Sequence, residues 1–247
     1  MNLYGLIGYP LTHSFSKRYF TEKFSREGIR DSAYELFELP DIAALPGLLA
    51  TQPNLRGLNV TIPHKQAVIP FLDHLDESAR KVGAVNVIKL AAGGKKTGYN
   101  SDYYGFRTTL VAWLGRLGVT ETAALILGNG GASRAVRAAL DDLRIPYQVV
   151  AREASATTLS YQQVTGELMA AFPLLINTTP LGTHPHPETF PLLPYARLTT
   201  ANLLYDLVYN PAETQFLAKG AARGAGTHNG LAMLHGQAEK AWEIWQD

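Results

Sequence analysis

Two stretches of this chain place reactive groups where an α/β protein presents them to a ligand. The first is Asn59-Val60-Thr61-Ile62-Pro63-His64-Lys65. It opens as a strand, with Leu58, Val60 and Ile62 alternating against Asn59 and Thr61. It stops at Pro63 and continues as an apolar, helix-like run over 66–72. Proline suits the first turn of a helix, where its missing N–H is not needed. An amide, a hydroxyl and an amine therefore stand at the carboxyl end of a strand and the amino end of a helix, the ligand-binding edge of open α/β sheets. The Lys65 amine is the group suited to proton transfer, because the positive end of a helix disfavours its ammonium form. A Pro-x-Lys at a helix start is also the ordinary pattern of a capped helix with a solvated lysine.

The second stretch is Gly128-Asn129-Gly130-Gly131-Ala132-Ser133, between a buried strand expected over 123–127 and a helix expected to run to Leu143. That context turns a weak glycine pattern into a dinucleotide site. Gly128 allows the tight turn, and Gly130 lets backbone N–H groups reach a pyrophosphate lying on the helix N-terminus. Ser133 stands where the common fingerprint has glycine, and the bland alternative is a glycine-rich turn without a ligand. The next strand ends in Val149-Val150-Ala151-Arg152-Glu153. An acid there holds a ribose 2′-hydroxyl, as for NAD, whereas an arginine pairs with the 2′-phosphate of NADP. Both are supplied, and no second basic residue follows within the next few positions. Arg152 favours NADP (NADPH) as cofactor; Glu153 leaves NAD not excluded.

The elements that must position these groups follow from periodicity and punctuation. A short buried strand is expected over 3–8, a helix over 17–26, a strand over 34–39 and a helix over 41–50. After the Lys65 stretch come a helix over 77–82 and a hairpin, 84–90 and 95–99, turning at Gly93-Gly94. This half is an α/β domain with a mixed sheet. Asn100-Ser101-Asp102 caps a helix running to about Leu117, and after Gly118 the pattern restarts. Strands are expected over 123–127, 147–151, 174–177 and 203–208, with a helix from the glycine loop to 143 and helices over 161–169 and 213–223. The last helix, over 231–245, carries a stripe of Leu231, Leu234, Ala238, Ala241 and Trp245.

Composition excludes several function classes. Of 247 residues, 46% are hydrophobic and 17% charged, enough to fill a sizeable core. A formal net charge of +1 gives no electrostatic basis for binding nucleic acid or an anionic membrane. With no cysteine there is no disulfide, thiolate metal site or cysteine nucleophile. The N-terminal residues lack the pattern of a signal peptide and no stretch reaches the length of a membrane span, so a cytoplasmic protein is expected.

Taken in order and spacing, the motifs resemble one family, the shikimate dehydrogenases. They are Ser14-x-Ser16, Asn59-Val60-Thr61-x-Pro63-x-Lys65, Gly83-Ala84-Val85-Asn86 and Asn100-Ser101-Asp102-x-x-Gly105. The match continues through the glycine loop, Asn177-Thr178-Thr179-Pro180-x-Gly182, Asp206-x-x-Tyr209-Asn210-Pro211, and Gly230-x-x-Met233 with Gln237. The resemblance implies an α/β, two-domain protein. Its substrate domain, with a mixed sheet, would comprise 1–101 and 229–247, and its Rossmann-like NADP-binding domain 102–228. It implies reversible NADPH-linked reduction of 3-dehydroshikimate to shikimate, in aromatic amino-acid (chorismate) biosynthesis, by a monomer or homodimer. At the matching positions it makes Lys65 and Asp102 catalytic, and Ser14, Ser16, Thr61, Asn86, Tyr209 and Gln237 substrate-binding. Gly128, Asn129, Gly130, Gly131, Ala132, Ser133, Arg152, Thr178, Leu207, Gly230 and Met233 would meet the cofactor.

The implied chemistry is consistent with the residues. Reducing a ketone needs a hydride on carbon and a proton on oxygen, and Lys65 can donate that proton. Asp102, one residue into a capped helix where a negative charge is favoured, can orient Lys65 and a substrate hydroxyl. The serines, Tyr209, Asn86 and Gln237 suit a small hydroxylated acid. Local capping for Ser14 and Ser16, and a satisfied buried amide for Asn86, are the structural alternatives. The strand end commonly reads Asn-Arg-Thr in NADP-using members; here it is Ala151-Arg152-Glu153. His13 and His64 rank below Lys65 as acids. His184-Pro185-His186 reads as a polar loop and no metal site is expected. Glu153 motivates the rival of an NAD-using quinate/shikimate dehydrogenase.

Overall fold

A computed structural model of the chain describes residues 1–11 and 14–247; His13 lies outside them. Two compact units emerge, Met1–Ser101 with Ala238–Asp247, and Asp102–Gln237.

The first unit holds a six-stranded mixed sheet of β1 (Asn2–Gly8), β2 (Ser32–Glu38), β3 (Leu55–Val60), β4 (His74–Leu75), β5 (Val87–Leu90) and β6 (Lys96–Tyr99). The order is β2-β1-β3-β5-β6-β4. β1 lies parallel to β2 and β3, and β5 is antiparallel to both β3 and β6. Its helices are α1 (Phe15–Arg26), α2 (Leu45–Thr51), α3 (His64–Ala67) and α4 (Glu77–Val82). Successive residues of β1 feed opposite faces. Leu3 and Ile7 join Leu58, Val60 and Ile88, whereas Tyr4 and Leu6 join Phe20, Tyr34 and Trp245. Both faces are covered, so β3 is buried almost throughout and does not alternate as expected.

The second unit opens with α5 (Ser101–Arg116), whose first residue belongs to the first unit. It contains β7 (Ala124–Leu127), α6 (Gly131–Asp142), β8 (Tyr147–Ala151), β9 (Thr158–Ser160), α7 (Gly166–Ala171), β10 (Leu174–Asn177), β11 (Leu203–Asp206), α8 (Gln215–Ala221) and β12 (Gly226–His228). All six strands are parallel, in the order β12-β11-β10-β7-β8-β9. The order reverses between β7 and β10, the switch point of a Rossmann-like sheet. Thr165 and Thr214 cap α7 and α8 through their hydroxyls.

The final helix, α9 (Leu231–Gln246), passes from the second unit into the first. Ala238, Ala241, Ile244 and Trp245 are its buried residues, whereas Leu231 is 43% exposed, so the expected stripe shifts along the helix. The Trp245 indole N–H donates to the Ile88 carbonyl at 3.0 Å, and Gly57 leaves the space that the indole fills.

The helix expected over 66–72 is shorter than its pattern. α3 is a single turn and a 3-10 turn, Ile69–Phe71, follows. Pro70 stops the α-helix, because its ring opposes the carbonyl four residues back and it has no N–H to donate. So short a helix carries little dipole. Ile62 is 74% exposed rather than part of a strand face. The chain turns after Val60, where the His64 N–H donates to the Thr61 carbonyl at 2.9 Å.

Candidate active site

In the first unit, β3 ends beside β1 and the residues before β5. The Thr61 N–H donates to the Ile7 carbonyl at 2.9 Å, and the Val60 N–H to the Asn86 carbonyl at 2.9 Å. This fixes Thr61 at the strand edge, with the half-buried Lys65 one turn on; the Lys65 carbonyl accepts the Val85 N–H at 2.7 Å. His64 is buried and its Nε2 meets the Leu39 carbonyl at 2.6 Å, a structural engagement that leaves it unsuited to act as an acid.

Behind that edge runs a chain of buried polar groups. The Tyr34 hydroxyl donates to Asn59 Oδ1 at 2.7 Å, and the Asn59 amide donates to the Asn86 carbonyl at 3.3 Å. Burial holds the Tyr34 phenol far above its ordinary range, while a hydrogen bond with Ser16 acts in the opposite direction. Tyr34 thus stays neutral and serves as a donor. Ser16 and Asn86, two predicted substrate contacts, are joined through Tyr34 and Asn59, and this explains the Asn59 amide.

Asn86 and Ser14 also do what the structural alternatives require. Asn86 is 4% exposed; its Oδ1 accepts the Ser101 N–H at 2.6 Å and its Nδ2 donates to Ser101 Oγ at 3.0 Å. The side chain caps the start of α5, one residue before Asp102. Ser14 caps α1, its hydroxyl accepting the Lys17 N–H at 3.2 Å.

In the second unit, Asp102 lies in the first turn of α5, half-buried. Gly105, three residues on and so on the same helical face, is where α9 closes in. A Cβ there would lie 2.8 Å from the Met233 carbonyl and 3.0 Å from the Gln237 nitrogen. The glycine in Asn100-Ser101-Asp102-x-x-Gly105 thereby sets Met233 and Gln237 against the start of α5.

The glycine loop joins β7 to α6. Gly128 has φ +109°, and a Cβ on it would meet Thr178 Oγ1 at 2.8 Å and Thr179 Cγ2 at 2.9 Å. Thr178 clamps β7, its N–H and hydroxyl both reaching the Leu127 carbonyl at 2.9 Å. Gly130 caps α6 without a side chain, and Cβ atoms on Gly130 or Gly131 would meet nothing within 4 Å. Open space over N–H groups that have no partner within the helix is what a pyrophosphate requires, so the loop fits a dinucleotide. Ala132 is exposed. Ser133 is buried and its hydroxyl donates to the Gly130 carbonyl at 2.7 Å, bracing the loop from within.

Arg152 is exposed just past β8. At the end of β11, the Leu207 N–H donates to the Asn177 carbonyl at 3.0 Å, and the Gly230 N–H to the Val208 carbonyl at 3.1 Å. Gly230 packs so closely on the Leu207 carbonyl that no Cβ fits. Leu207 and Met233 are half-buried, and Tyr209 is 40% exposed.

The family model for the shikimate dehydrogenase substrate binding domain matches residues 6–88. A curated NADP(+) shikimate dehydrogenase of Desulforamulus reducens is 37% identical, over 98% of this chain and 88% of its own. The chain belongs to the shikimate dehydrogenase family. Among solved structures, the family's enzyme from Thermus thermophilus in complex with NADP(H) and shikimate matches with a TM-score of 0.83 and 31% identity, covering 99% of this chain and 93% of that one. A quinate dehydrogenase from Corynebacterium glutamicum in complex with NAD matches with a TM-score of 0.86 and 29% identity, covering 99% and 93%.

Four residues to which the motifs gave no site role brace the predicted site residues within each unit: Ser101 in the first, and Gly105, Asn177 and Asp206 in the second. Asn177 and Asp206 stood in motifs, but only strand register pairs them.

Proposed function

We propose that the chain is an NADP-dependent shikimate dehydrogenase, catalysing reversible NADPH-linked reduction of 3-dehydroshikimate to shikimate. The match over 98% of this chain and 88% of a curated NADP(+) shikimate dehydrogenase carries the proposal. The exposed Arg152 at the end of β8 supports the cofactor assignment.

NADPH, when bound, supplies the hydride to the carbonyl carbon. Lys65 delivers the proton to the carbonyl oxygen and recovers it in reverse, so the ketone gains one hydride and one proton. Asp102 takes and orients a substrate hydroxyl. Ser14, Ser16, Thr61, Asn86, Tyr209 and Gln237 bind the carboxylate and hydroxyls. The loop from Gly128 to Ser133, with Arg152, Thr178, Leu207, Gly230 and Met233, binds the cofactor. The substrate domain comprises 1–101 and 229–247 and the cofactor domain 102–228; the first boundary coincides with the division of the compact units, whereas the second unit runs on to Gln237, nine residues past the end of β12.

No helix among the described residues is long and apolar enough to cross a membrane. A cytoplasmic monomer or homodimer, with no nucleic-acid partner, completes the proposal. Glu153, beside Arg152, favours a second reading, an NAD-using quinate/shikimate dehydrogenase. Initial rates of the purified protein with shikimate and with quinate, each with NADP and NAD, separate the two. Preference for shikimate with NADP supports the proposal; preference for NAD supports the second reading; no turnover with either acid overturns both.

A further inference from the structure

The cofactor site has one basic residue at its strand end where a phosphate dianion calls for more. A phosphate monoester carries a charge of roughly −1.5 to −2 at neutral pH, and Arg152 has Glu153 beside it. The structure supplies another guanidinium from a different element.

β7 and β8 are parallel neighbours with Leu127 opposite Val150, and the Gly128 N–H donates to the Val150 carbonyl at 2.8 Å. Their next residues leave the sheet side by side. Asn129 and Arg152 therefore start from adjacent strand ends, about 4.8 Å being the spacing of paired strands. Both are exposed. Two turns into α6, Arg137 reaches back and donates from Nη1 to Asn129 Oδ1 at 3.2 Å. That contact uses one of the five N–H donors of a guanidinium, a planar fork suited to phosphate oxygens.

We propose that Arg137 is the second guanidinium of the 2′-phosphate subsite, held over the strand end by Asn129. The assignment rests on the NADP reading above. It gives a cation supplied by α6 the task that a second basic residue after β8 would otherwise perform.

The test is direct titration of the full chain and of three variants with NADPH and NADH, and with 2′,5′-ADP against 5′-AMP. In Arg137→Ala, NADPH and 2′,5′-ADP should bind roughly ten- to a hundredfold more weakly, the range for losing a hydrogen bond to a charged group. NADH and 5′-AMP should stay within about twofold, since the adenosine and pyrophosphate contacts are untouched. Arg137→Lys keeps the charge without the fork and should fall between. Asn129→Asp pairs with Arg137 and repels the phosphate, so it should also lower NADPH affinity selectively. Thermal denaturation checks that each variant is folded. Equal losses for both nucleotides, or no loss, overturn the role of Arg137 while leaving an NADP preference of the parent intact. A parent that binds NADPH no more tightly than NADH overturns the NADP reading and this assignment with it.

Discussion

Asn177 and Asp206 stand opposite each other at the ends of β10 and β11, and the Asn177 amide donates to the Asp206 carboxylate at 2.9 Å. Asp206 also accepts the Val208 N–H at 3.0 Å and the Thr214 hydroxyl at 2.6 Å, and it is fully buried. No cation offsets its charge among the groups that shift it, and Tyr195 is a titratable neighbour, its phenol raised by burial and by Asp206. Burial pushes Asp206 from 3.8 up to about 6, against the three hydrogen bonds, which pull it down. A carboxyl raised on folding contributes its stability below its unfolded value, and that contribution is lost as pH rises through about 6. Asp206→Asn keeps an acceptor for Asn177 and Val208 and can donate to Thr214. It should therefore melt higher than the parent at pH 8, with the gain fading towards pH 4. At about 1.4 kcal/mol per pH unit the ceiling is about 3 kcal/mol. A lower melting temperature at both pH values would show that the three donors require the charge.

Asn86 tests whether a capping residue also binds substrate. Asn86→Ala strands the buried Ser101 N–H, at a cost of about 1–3 kcal/mol, and loosens the turn that carries Asp102. Asn86→Asp keeps the acceptor, and the Ser101 hydroxyl can turn to donate. Its melting temperature should stay near the parent's while the KM for shikimate rises, because a carboxylate would face an anionic substrate. An unchanged KM would confine Asn86 to capping.

Most strands and every motif were legible in the sequence, because hydrophobic runs and glycine or proline punctuation are local signals. β4, β9 and β12 were not, being two or three residues each and partly polar. Pro70 was visible, yet the apolar run from Gln66 to Leu72 outweighed it. The partners of the site residues were beyond reach for a different reason. Ser101 lies 15 residues from Asn86, Asp206 lies 29 from Asn177, and Tyr34 lies 25 from Asn59. Which polar groups pair at such separations is settled by sheet register, and register needs both strands in place.

Gly230 should not tolerate even a methyl group. The added carbon would overlap the Leu207 carbonyl, and both sides of that contact are backbone. Gly230→Ala must displace either the turn after β11 or the start of α9, a strain of about 1–3 kcal/mol by analogy with overpacked cores. Since Leu207 and Gly230 are proposed cofactor contacts, KM for NADPH should rise along with the loss of stability. A variant with the parent's melting temperature and unaltered KM would show that the turn yields without consequence.

Lys65 carries the most specific prediction. It sits on a one-turn helix fixed to the chain before β5 by the Val85 N–H bond to its carbonyl, so replacing its side chain leaves that backbone contact in place. Lys65→Ala should lower kcat for shikimate oxidation by roughly two or more orders of magnitude, the contribution of a positioned acid–base group. KM should change far less, because the carboxylate and hydroxyl contacts fall to other residues. Steady-state rates at saturating NADP separate the two parameters. A lysine that only bound substrate would raise KM and spare kcat, and a solvated lysine at a helix start would alter neither.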